Sequence, residues 1–171
     1  MSPITHSQLI TLLKEYVQDT GRSVDLLLVG GLALQAYGYA DRSTQDVDAE
    51  VAGDLDSLAQ FLRGRQVPAD LGENISGWSV VAMPPGYRER ASVLLEDSGL
   101  RLRLLQPVDF IIAKLRRGTE IDIEDALYVA RRFSVTPQAV QDAAETAVSA
   151  SPKDTVIFLF RKTVEIFCAR L

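Results

Sequence analysis

The feature that most constrains this fold is a strand, a glycine pair, a helix and a second strand within residues 26–51. An apolar run at residues 26–29 is too short for a helix and predicts a buried strand, which ends at Gly30 and Gly31. The next residues fit a short helix, and residues 46–51 alternate between acidic and apolar side chains as a half-buried strand does. This order predicts an α/β fold.

Three acidic side chains share one face of the second predicted strand, because side chains alternate across a strand: Asp46, Asp48 and Glu50. Like charges on one face repel unless a cation compensates them. Mg²⁺ is held by one or two carboxylates together with phosphate oxygens, and Gly30 and Gly31 would bring backbone N–H groups close to a phosphate. The pattern therefore indicates a magnesium–nucleotide site, and the plainer alternative is a solvated strand face beside a turn.

These residues resemble the signature of the nucleotidyltransferase superfamily, the fold of DNA polymerase beta and of the aminoglycoside nucleotidyltransferases. They are Gly30, Gly31, Arg42, Thr44, Asp46 and Asp48. The full spacing, Gly-Gly-x-Ala-x-x-x-x-Gly followed by Arg-x-Thr-x-Asp-x-Asp, is similar to that of small bacterial proteins of the AbiEii type, including mycobacterial toxins of the MenT kind. The resemblance implies a small mixed sheet flanked by helices, with further helices at the C-terminal end.

A second part of the chain is similar to the Lys motif and the Asp-x-x-Asp motif of the AbiEii type. It comprises residues 107–115, which include Lys114, and then Asp122 and Asp125. The resemblance implies that Lys114 neutralises charge on the transferring phosphate, while Asp122 holds the lysine or takes a proton from the acceptor. The alternative is a salt bridge between two helices. A Pro-Gly-Tyr-x-x-Arg element also makes Arg90 a candidate phosphate or substrate contact by resemblance.

The resemblance implies a site in which Asp46 and Asp48 hold Mg²⁺. The residues expected to bind the nucleotide are Gly30, Gly31, Arg42, Thr44 and Arg90. Many enzymes of the wider superfamily carry a third acid on a later strand, but the strand predicted at residues 100–104 offers Arg101 and Arg103 instead. This departure argues against chemistry that needs three strand carboxylates and two metal ions.

The expected activity is magnesium-dependent transfer of a nucleotidyl group from an NTP to a hydroxyl. The acceptor would be a tRNA 3′ end or a protein side chain, and the protein would be the toxin of a toxin–antitoxin pair, with a cognate antitoxin protein as its partner. Two alternatives stay open at this point. One is a small-molecule nucleotidyltransferase of the antibiotic-modifying class, and the other is a non-catalytic domain of the same fold that binds a partner.

The length and composition limit the number of domains, the kind of metal site and the location of the protein. The chain has 171 residues, 47% of them hydrophobic, which fits one globular domain: a core over residues 1–133 with helices of residues 134–171 packed on it. The single cysteine and the single histidine, Cys168 and His6, exclude Cys-based zinc clusters and His-rich sites, so oxygen atoms would hold any metal. We expect a cytoplasmic protein, because no signal peptide and no apolar run of ~20 residues is visible.

The charge distribution adds an expectation about the far side of the site. A net charge of −5 argues against a protein that coats nucleic acid by charge alone. Half of the 18 lysines and arginines lie within residues 88–132, and these could face the acids across a cleft. The alternative is that most of them pair with neighbouring acids on the surface.

The remaining elements follow from periodicity and from turn residues. We predict helices over residues 7–20, with Ser7 as the cap, and over the residues after Asp54. Residues 65–77 read as a loop, and residues 78–83 read as a strand. Further predicted elements are strands at residues 91–95 and 100–104, and helices that begin at Pro107, Asp122, Pro137 and the cap formed by residues 151–154.

Overall fold

The computed structural model describes residues 3–171, which contain one mixed five-stranded sheet and eight α-helices. The expected α/β class, with a small mixed sheet and C-terminal helices, is therefore confirmed. In chain order the elements are α1 (His6–Thr20), β1 (Val24–Leu28), α2 (Gly31–Ala36), β2 (Val47–Gly53), α3 (Leu55–Gly64), β3 (Ala69–Gly72), α4 (Tyr87–Arg90), β4 (Ser92–Asp97), β5 (Leu100–Leu104), α5 (Pro107–Leu115), α6 (Glu120–Arg132), α7 (Pro137–Ser149) and α8 (Val156–Arg170).

Contacts within the chain divide it into two compact units. The first comprises Met1–Asn74 and Ala91–Leu104, and the second comprises Ile75–Arg90 and Leu105–Leu171. The first unit therefore holds the whole sheet with α1, α2 and α3, while the second is helical. The division expected from the sequence at residue 133 stays a prediction.

The five strands lie in the order β3-β2-β1-β5-β4. β1 pairs antiparallel with β2 and parallel with β5. β3 pairs parallel with β2, and β4 pairs antiparallel with β5 at the opposite edge. The run β2, α3, β3 is therefore a βαβ unit, in which a helix returns the chain so that the next strand runs parallel to the first.

One face of the sheet forms the core of the first unit. Alternate residues of the three central strands are buried on it: Val24, Leu26, Leu28, Val47, Ala49, Val51, Leu100, Leu102 and Leu104. α1 packs against α2, α3 and β5, while α2 contacts β2 and α3 contacts β3. Because each buried leucine contributes about 1.5–3 kcal/mol, this layer fixes the register of the strands and leaves the acids of β2 on the opposite face.

The cap of the first helix lies two residues before the predicted one. Thr5, not Ser7, caps α1: its hydroxyl accepts a hydrogen bond from the Gln8 N–H at 3.2 Å, and the Gln8 side chain accepts one from the Thr5 N–H at 2.8 Å. This reciprocal capping box satisfies two N–H groups that Ser7 could not reach together. The predicted end is confirmed, because Gly21 adopts the left-handed conformation with φ 66°.

The segment predicted as a loop at residues 65–77 contains an edge strand. The Val47 N–H donates to the Pro68 carbonyl at 3.0 Å, and the parallel pairing of β3 with β2 follows directly. The sequence prediction was wrong here because β3 has four residues and no visible apolar period. Its position follows from α3, which carries the chain back along β2.

The strand predicted at residues 78–83 is absent, because side chains bind the backbone there. Arg116 donates to the carbonyls of Ile75, Ser76 and Val81 at 2.9, 2.8 and 2.7 Å. The Ala82 N–H donates to the Ser151 hydroxyl at 2.8 Å. Burial lowers the pKa of Arg116 to about 10, so its guanidinium is charged at neutral pH and can hold this irregular segment.

The helices of the second unit begin close to the predicted residues. Pro107 occupies the first turn of α5, and Thr136 caps α7 through the Ala139 N–H at 3.2 Å. α6 begins at Glu120, two residues before the predicted Asp122, because Thr119 is its cap. No helix in residues 3–171 combines the length and the apolar character needed to cross a lipid bilayer.

Candidate functional site

Three carboxylates meet on the polar face of the sheet. Asp46, Asp48 and Asp70 each offer an oxygen atom, and these atoms all lie within 4.8 Å of one another. Asp48 and Asp70 are direct partners in the parallel pairing of β2 and β3, so their side chains point to the same face. Asp46 precedes β2 by one residue and shares the face of Asp48.

Asp70 is a third acid that the sequence pattern does not predict. The strand at residues 100–104 carries arginines, whereas β3, which pairs with the other side of β2, carries the acid. The order of elements could have predicted this strand, because a strand, the helix over Leu55–Gly64 and a short polar-apolar segment are typical of a βαβ unit. The expectation that no third strand carboxylate joins Asp46 and Asp48 is therefore wrong.

Glu50 is not a member of this group among the residues described. It lies on the same face of β2, but it is 5% exposed and pairs with Leu27 of β1 and Gly72 of β3. The three acids therefore share one face as expected, but the group that could hold a metal combines Asp46 and Asp48 with an acid of the neighbouring strand.

Gly30 makes room for the acid group. A Cβ at this position would lie 1.8 Å from Oδ2 of Asp48 and 2.6 Å from its Cβ. The φ angle of Gly30 is −102°, which other residues adopt, so the requirement for glycine comes from this close approach. Gly31 has the same role towards Thr44, whose Cβ would lie 2.6 Å from an added Cβ. The glycine pair therefore sets the backbone directly against the acid site.

Thr44 orients the first acid. Its hydroxyl donates to Oδ1 of Asp46 at 2.8 Å, and its carbonyl accepts a hydrogen bond from the Ile4 N–H at 2.9 Å. The structure thus places Thr44 against an acid, whereas the sequence reading assigned it to the phosphate. Its contact with a phosphate stays a prediction.

The segment around Arg42 is held in place by Gln35 of α2. The Gln35 amide donates to the carbonyls of Arg42 and Ile4 at 3.0 and 3.3 Å, and its oxygen accepts from the His6 N–H at 3.0 Å. Arg42 is half-buried, two residues before Thr44. Its contact with a nucleotide stays a prediction.

The two arginines of β5 neutralise a different acid. Arg103 donates to Asp25 at 2.7 Å, and Arg101 lies 3.7 Å from the same carboxylate. Asp25 pairs with Ala52, four residues along β2 from Asp48, which is about 13 Å away at ~3.3 Å per residue. Arg101 is paired with Asp25 in the ladder and lies towards the other end of the sheet, whereas Arg103 is paired with Leu27 and lies level with Glu50, two residues from Asp48 along β2. Both side chains contact Asp25.

Lys114 and Asp122 form a buried ion cluster within the second unit. Nζ of Lys114 lies 2.9 Å from Asp125 and 3.5 Å from Asp122, and Lys114 is 9% exposed. Asp122 is fully buried and also accepts two hydrogen bonds from Arg117, at 2.7 and 2.6 Å. Its carboxylate also completes the cap of α6 with Thr119. These contacts favour the helix-to-helix salt bridge, and a catalytic role for the pair stays a prediction.

The charge state of Asp122 reflects these contacts. Burial alone would raise the pKa of its carboxyl, but hydrogen bonds from Arg117 and Thr119 and the positive charges of Lys114 and Arg117 lower it overall. Asp122 is therefore an ionised carboxylate at neutral pH, held by its partners.

Arg90 is engaged with the start of α5. It binds both carboxylate oxygens of Asp109, at 3.0 and 2.8 Å, and donates to the Pro85 carbonyl at 2.8 Å. The hydrogen bonds and charge of Asp109 raise the pKa of Arg90 despite some burial. These contacts favour a structural role for Arg90, and its contact with a nucleotide stays a prediction.

The oxygen atoms of the acid group suit a hard divalent cation, since carboxylate oxygens are the protein ligands that Mg²⁺ and Mn²⁺ prefer. A family model described as a nucleotidyltransferase of unknown function matches residues 7–150. No curated protein matches the chain. The matched region includes the acid group, the glycine pair and the cluster around Lys114.

Proposed function

Since this chain belongs to that family of nucleotidyltransferases, we propose that it uses Mg²⁺ to transfer a nucleotidyl group from an NTP to a hydroxyl acceptor. The observation that carries the proposal is the meeting of Asp46, Asp48 and Asp70 within 4.8 Å. Three like charges so close together repel, and a divalent cation offsets this repulsion.

In this proposal Asp46, Asp48 and Asp70 hold the magnesium, which neutralises charge on the phosphate oxygens when it is bound. Thr44 fixes the orientation of Asp46 through its hydrogen bond of 2.8 Å. Gly30 keeps the backbone close to Asp48, so that its N–H can approach a phosphate that no larger residue would admit. Arg42 supplies positive charge to the phosphates from the segment before Thr44.

Lys114, Asp122 and Arg90 enter the proposal through the resemblance to the AbiEii type. Lys114 would neutralise charge on the transferring phosphate, with Asp122 holding it, and Arg90 would contact substrate. Their present partners, Asp125 for Lys114 and Asp109 for Arg90, support a structural role instead. The core of the proposal therefore rests on the acids and glycines of the first unit.

The finer proposal concerns the acceptor and the biological setting. The resemblance to MenT-like proteins supports a tRNA 3′ end or a protein side chain as the acceptor, and a role as the toxin of a toxin–antitoxin pair in the cytoplasm. A small-molecule acceptor of the antibiotic type is the alternative within the same chemistry. The experiment below separates these acceptor classes.

The alternative to an enzyme is a non-catalytic domain of the same fold that binds a partner. Gly31 supports it, because it stands where the wider superfamily has a serine after the first glycine. Asp70 counts against it, because the presence of a third carboxylate removes the main structural reason for expecting an inactive relic.

The test is to incubate the protein with each labelled NTP and Mg²⁺, adding total tRNA, a protein extract or aminoglycosides in separate reactions. We expect label to move to tRNA or to protein, and Asp70→Asn to abolish the transfer. Glu96→Gln, which changes an exposed acid of β4 in the same unit, is the matched control and should be fully active. Transfer to aminoglycosides alone would establish the small-molecule alternative, and no transfer to any acceptor would favour the binding domain.

A further inference from the structure

The last helix exposes a second apolar face. α8 buries Ile157, Phe160, Val164 and Phe167 against its own unit. Its outer side carries Phe158, Leu159 and Ile166, which are 65%, 64% and 54% exposed. Large apolar side chains exposed together mark an interaction surface more often than scattered single ones do.

These three side chains form one stripe. At about 100° per residue, Phe158, Leu159 and Ile166 fall within an arc of about 100° on the helix, opposite the buried face. Lys162 lies in the middle of this arc, and Ala169 lies inside it one turn beyond Ile166. We call Phe158, Leu159, Lys162, Ile166 and Ala169 the α8 stripe.

Two charged side chains on this side of α8, one within the stripe and one at its edge, are placed so that they complement the same two residues of a second copy. Lys162 and Glu165 pair at 2.9 Å within the helix, and both side chains are more than half exposed. They lie on the two sides of a point between residues 163 and 164. A twofold axis through that point places Lys162 beside the second copy's Glu165, and the symmetric contact follows automatically.

We propose that the α8 stripe binds the α8 stripe of a second copy of this chain, in an antiparallel pair around this twofold axis. A parallel pair would set Lys162 against Lys162 and Glu165 against Glu165, which is repulsive, so the charges select the antiparallel arrangement. In that arrangement Phe158 and Leu159 pack over the second copy's Ala169, whose small side chain leaves space for them.

The size of the stripe sets the expected strength. One face of a single helix buries less than the ~800 Å² per partner of a typical stable complex, so the dimer should be weak, with a micromolar dissociation constant. The proposal is argued from α8 alone and does not rest on the proposed nucleotidyl transfer.

The first test measures the oligomeric state of the full chain by sedimentation velocity over a wide concentration series. We expect a reversible monomer–dimer equilibrium, and Leu159→Glu should raise the dissociation constant by roughly 30-fold or more, because an unpaired charge would lie within the contact. Val93→Glu, at a residue of β4 that is 45% exposed, is the matched control and should leave the equilibrium unchanged. A chain that is monomeric at every concentration, or that responds to Val93→Glu instead, would overturn the proposal.

The second test uses the charges alone. Lys162→Glu sets Glu against the second copy's Glu165, and Glu165→Lys sets Lys against Lys162, so each variant by itself should be shifted to monomer. When the two variants are mixed, both cross-copy contacts become attractive and the heterodimer should form at the wild-type concentration. A mixture that stays as monomeric as its components would rule out the antiparallel register, since each variant keeps the apolar side chains intact.

Discussion

Asp70 of β3 lies directly opposite Asp48 of β2 in the parallel pairing of the two strands. The register of a parallel pair is fixed by the backbone ladder, so the two carboxylates stay on one face whether or not a cation is present. The fold of the first unit therefore holds the acids together although their negative charges repel one another. The cation of the proposed function would offset this repulsion.

Removing one of these charges should separate stability from metal binding. Without metal, Asp70→Asn should leave the free energy of unfolding equal to or higher than that of wild type, because repulsion with Asp48 is relieved. With saturating Mg²⁺ or Mn²⁺, the wild type should gain melting temperature and the variant should not. Differential scanning calorimetry with and without metal measures both effects. Equal metal-induced shifts in the two proteins would show that Asp70 is not a ligand.

The space beside Asp48 gives a steric prediction. Gly30→Ala puts a methyl group where Oδ2 of Asp48 now lies, 1.8 Å from the ideal Cβ, so the carboxylate must move and metal-dependent nucleotide binding should fall by at least an order of magnitude. Gly64→Ala is the control, since a Cβ there meets nothing within 4 Å. Isothermal titration with a non-hydrolysable NTP measures the difference. Wild-type affinity in Gly30→Ala would mean that Asp48 does not act at this position.

Thr44 allows a test of orientation without loss of charge. Thr44→Val keeps the shape of the side chain but removes the hydrogen bond to Asp46, so we expect metal affinity to fall by about 10–100-fold, as it does when outer partners of metal ligands are changed. Thr11→Val, which removes only a bond to the Ser7 carbonyl on α1, should leave metal affinity unchanged. Mn²⁺ titration followed by electron paramagnetic resonance compares the two. Identical affinities would show that the hydrogen bond from Thr44 does not position Asp46 for a metal ion.

The sequence predicted the acids of β2 and the glycine pair because both signals are local. Alternation places Asp46 and Asp48 on one face, and Gly30 stops the preceding strand, without any knowledge of distant contacts. Asp70 could not be assigned in that way, since a four-residue strand has no period of its own and becomes a strand only by pairing with β2. The opposite error occurs at residues 78–83, which are predicted as a strand from the local pattern. There the distant side chain of Arg116 binds the backbone, and no strand forms.

The ion cluster of the second unit should couple two helices energetically. Lys114→Met leaves Asp122 and Asp125 buried with less compensation and should lower the free energy of unfolding by about 3–5 kcal/mol. In an Asp125→Asn background the same change should cost less, because the charge that lies 2.9 Å from Nζ is already gone. Urea unfolding of the four proteins gives the coupling energy. Additive effects would show that Lys114 and Asp125 do not stabilise each other.

The lowered pKa of Asp122 predicts how stability depends on pH. Its carboxyl titrates below its ordinary value of 3.8 in the folded protein, because the hydrogen bonds from Arg117 and Thr119 and the nearby positive charges outweigh burial. The folded state therefore binds fewer protons at this group than the unfolded state. Its stabilising contribution is fully present above the ordinary value and is lost as the pH falls from there through the lower pKa of the folded protein. Asp122→Asn should lower the free energy of unfolding at neutral pH by about 3 kcal/mol or more and should flatten its decline as the pH falls below the ordinary pKa of the carboxyl.

Urea titrations across this range measure that slope. Glu124→Gln, an exposed acid on the same helix, should keep both the stability and the slope of wild type. If Asp122→Asn retains the full acid-dependent loss, other carboxylates carry it, and the partners of Asp122 do not set its charge in the folded protein.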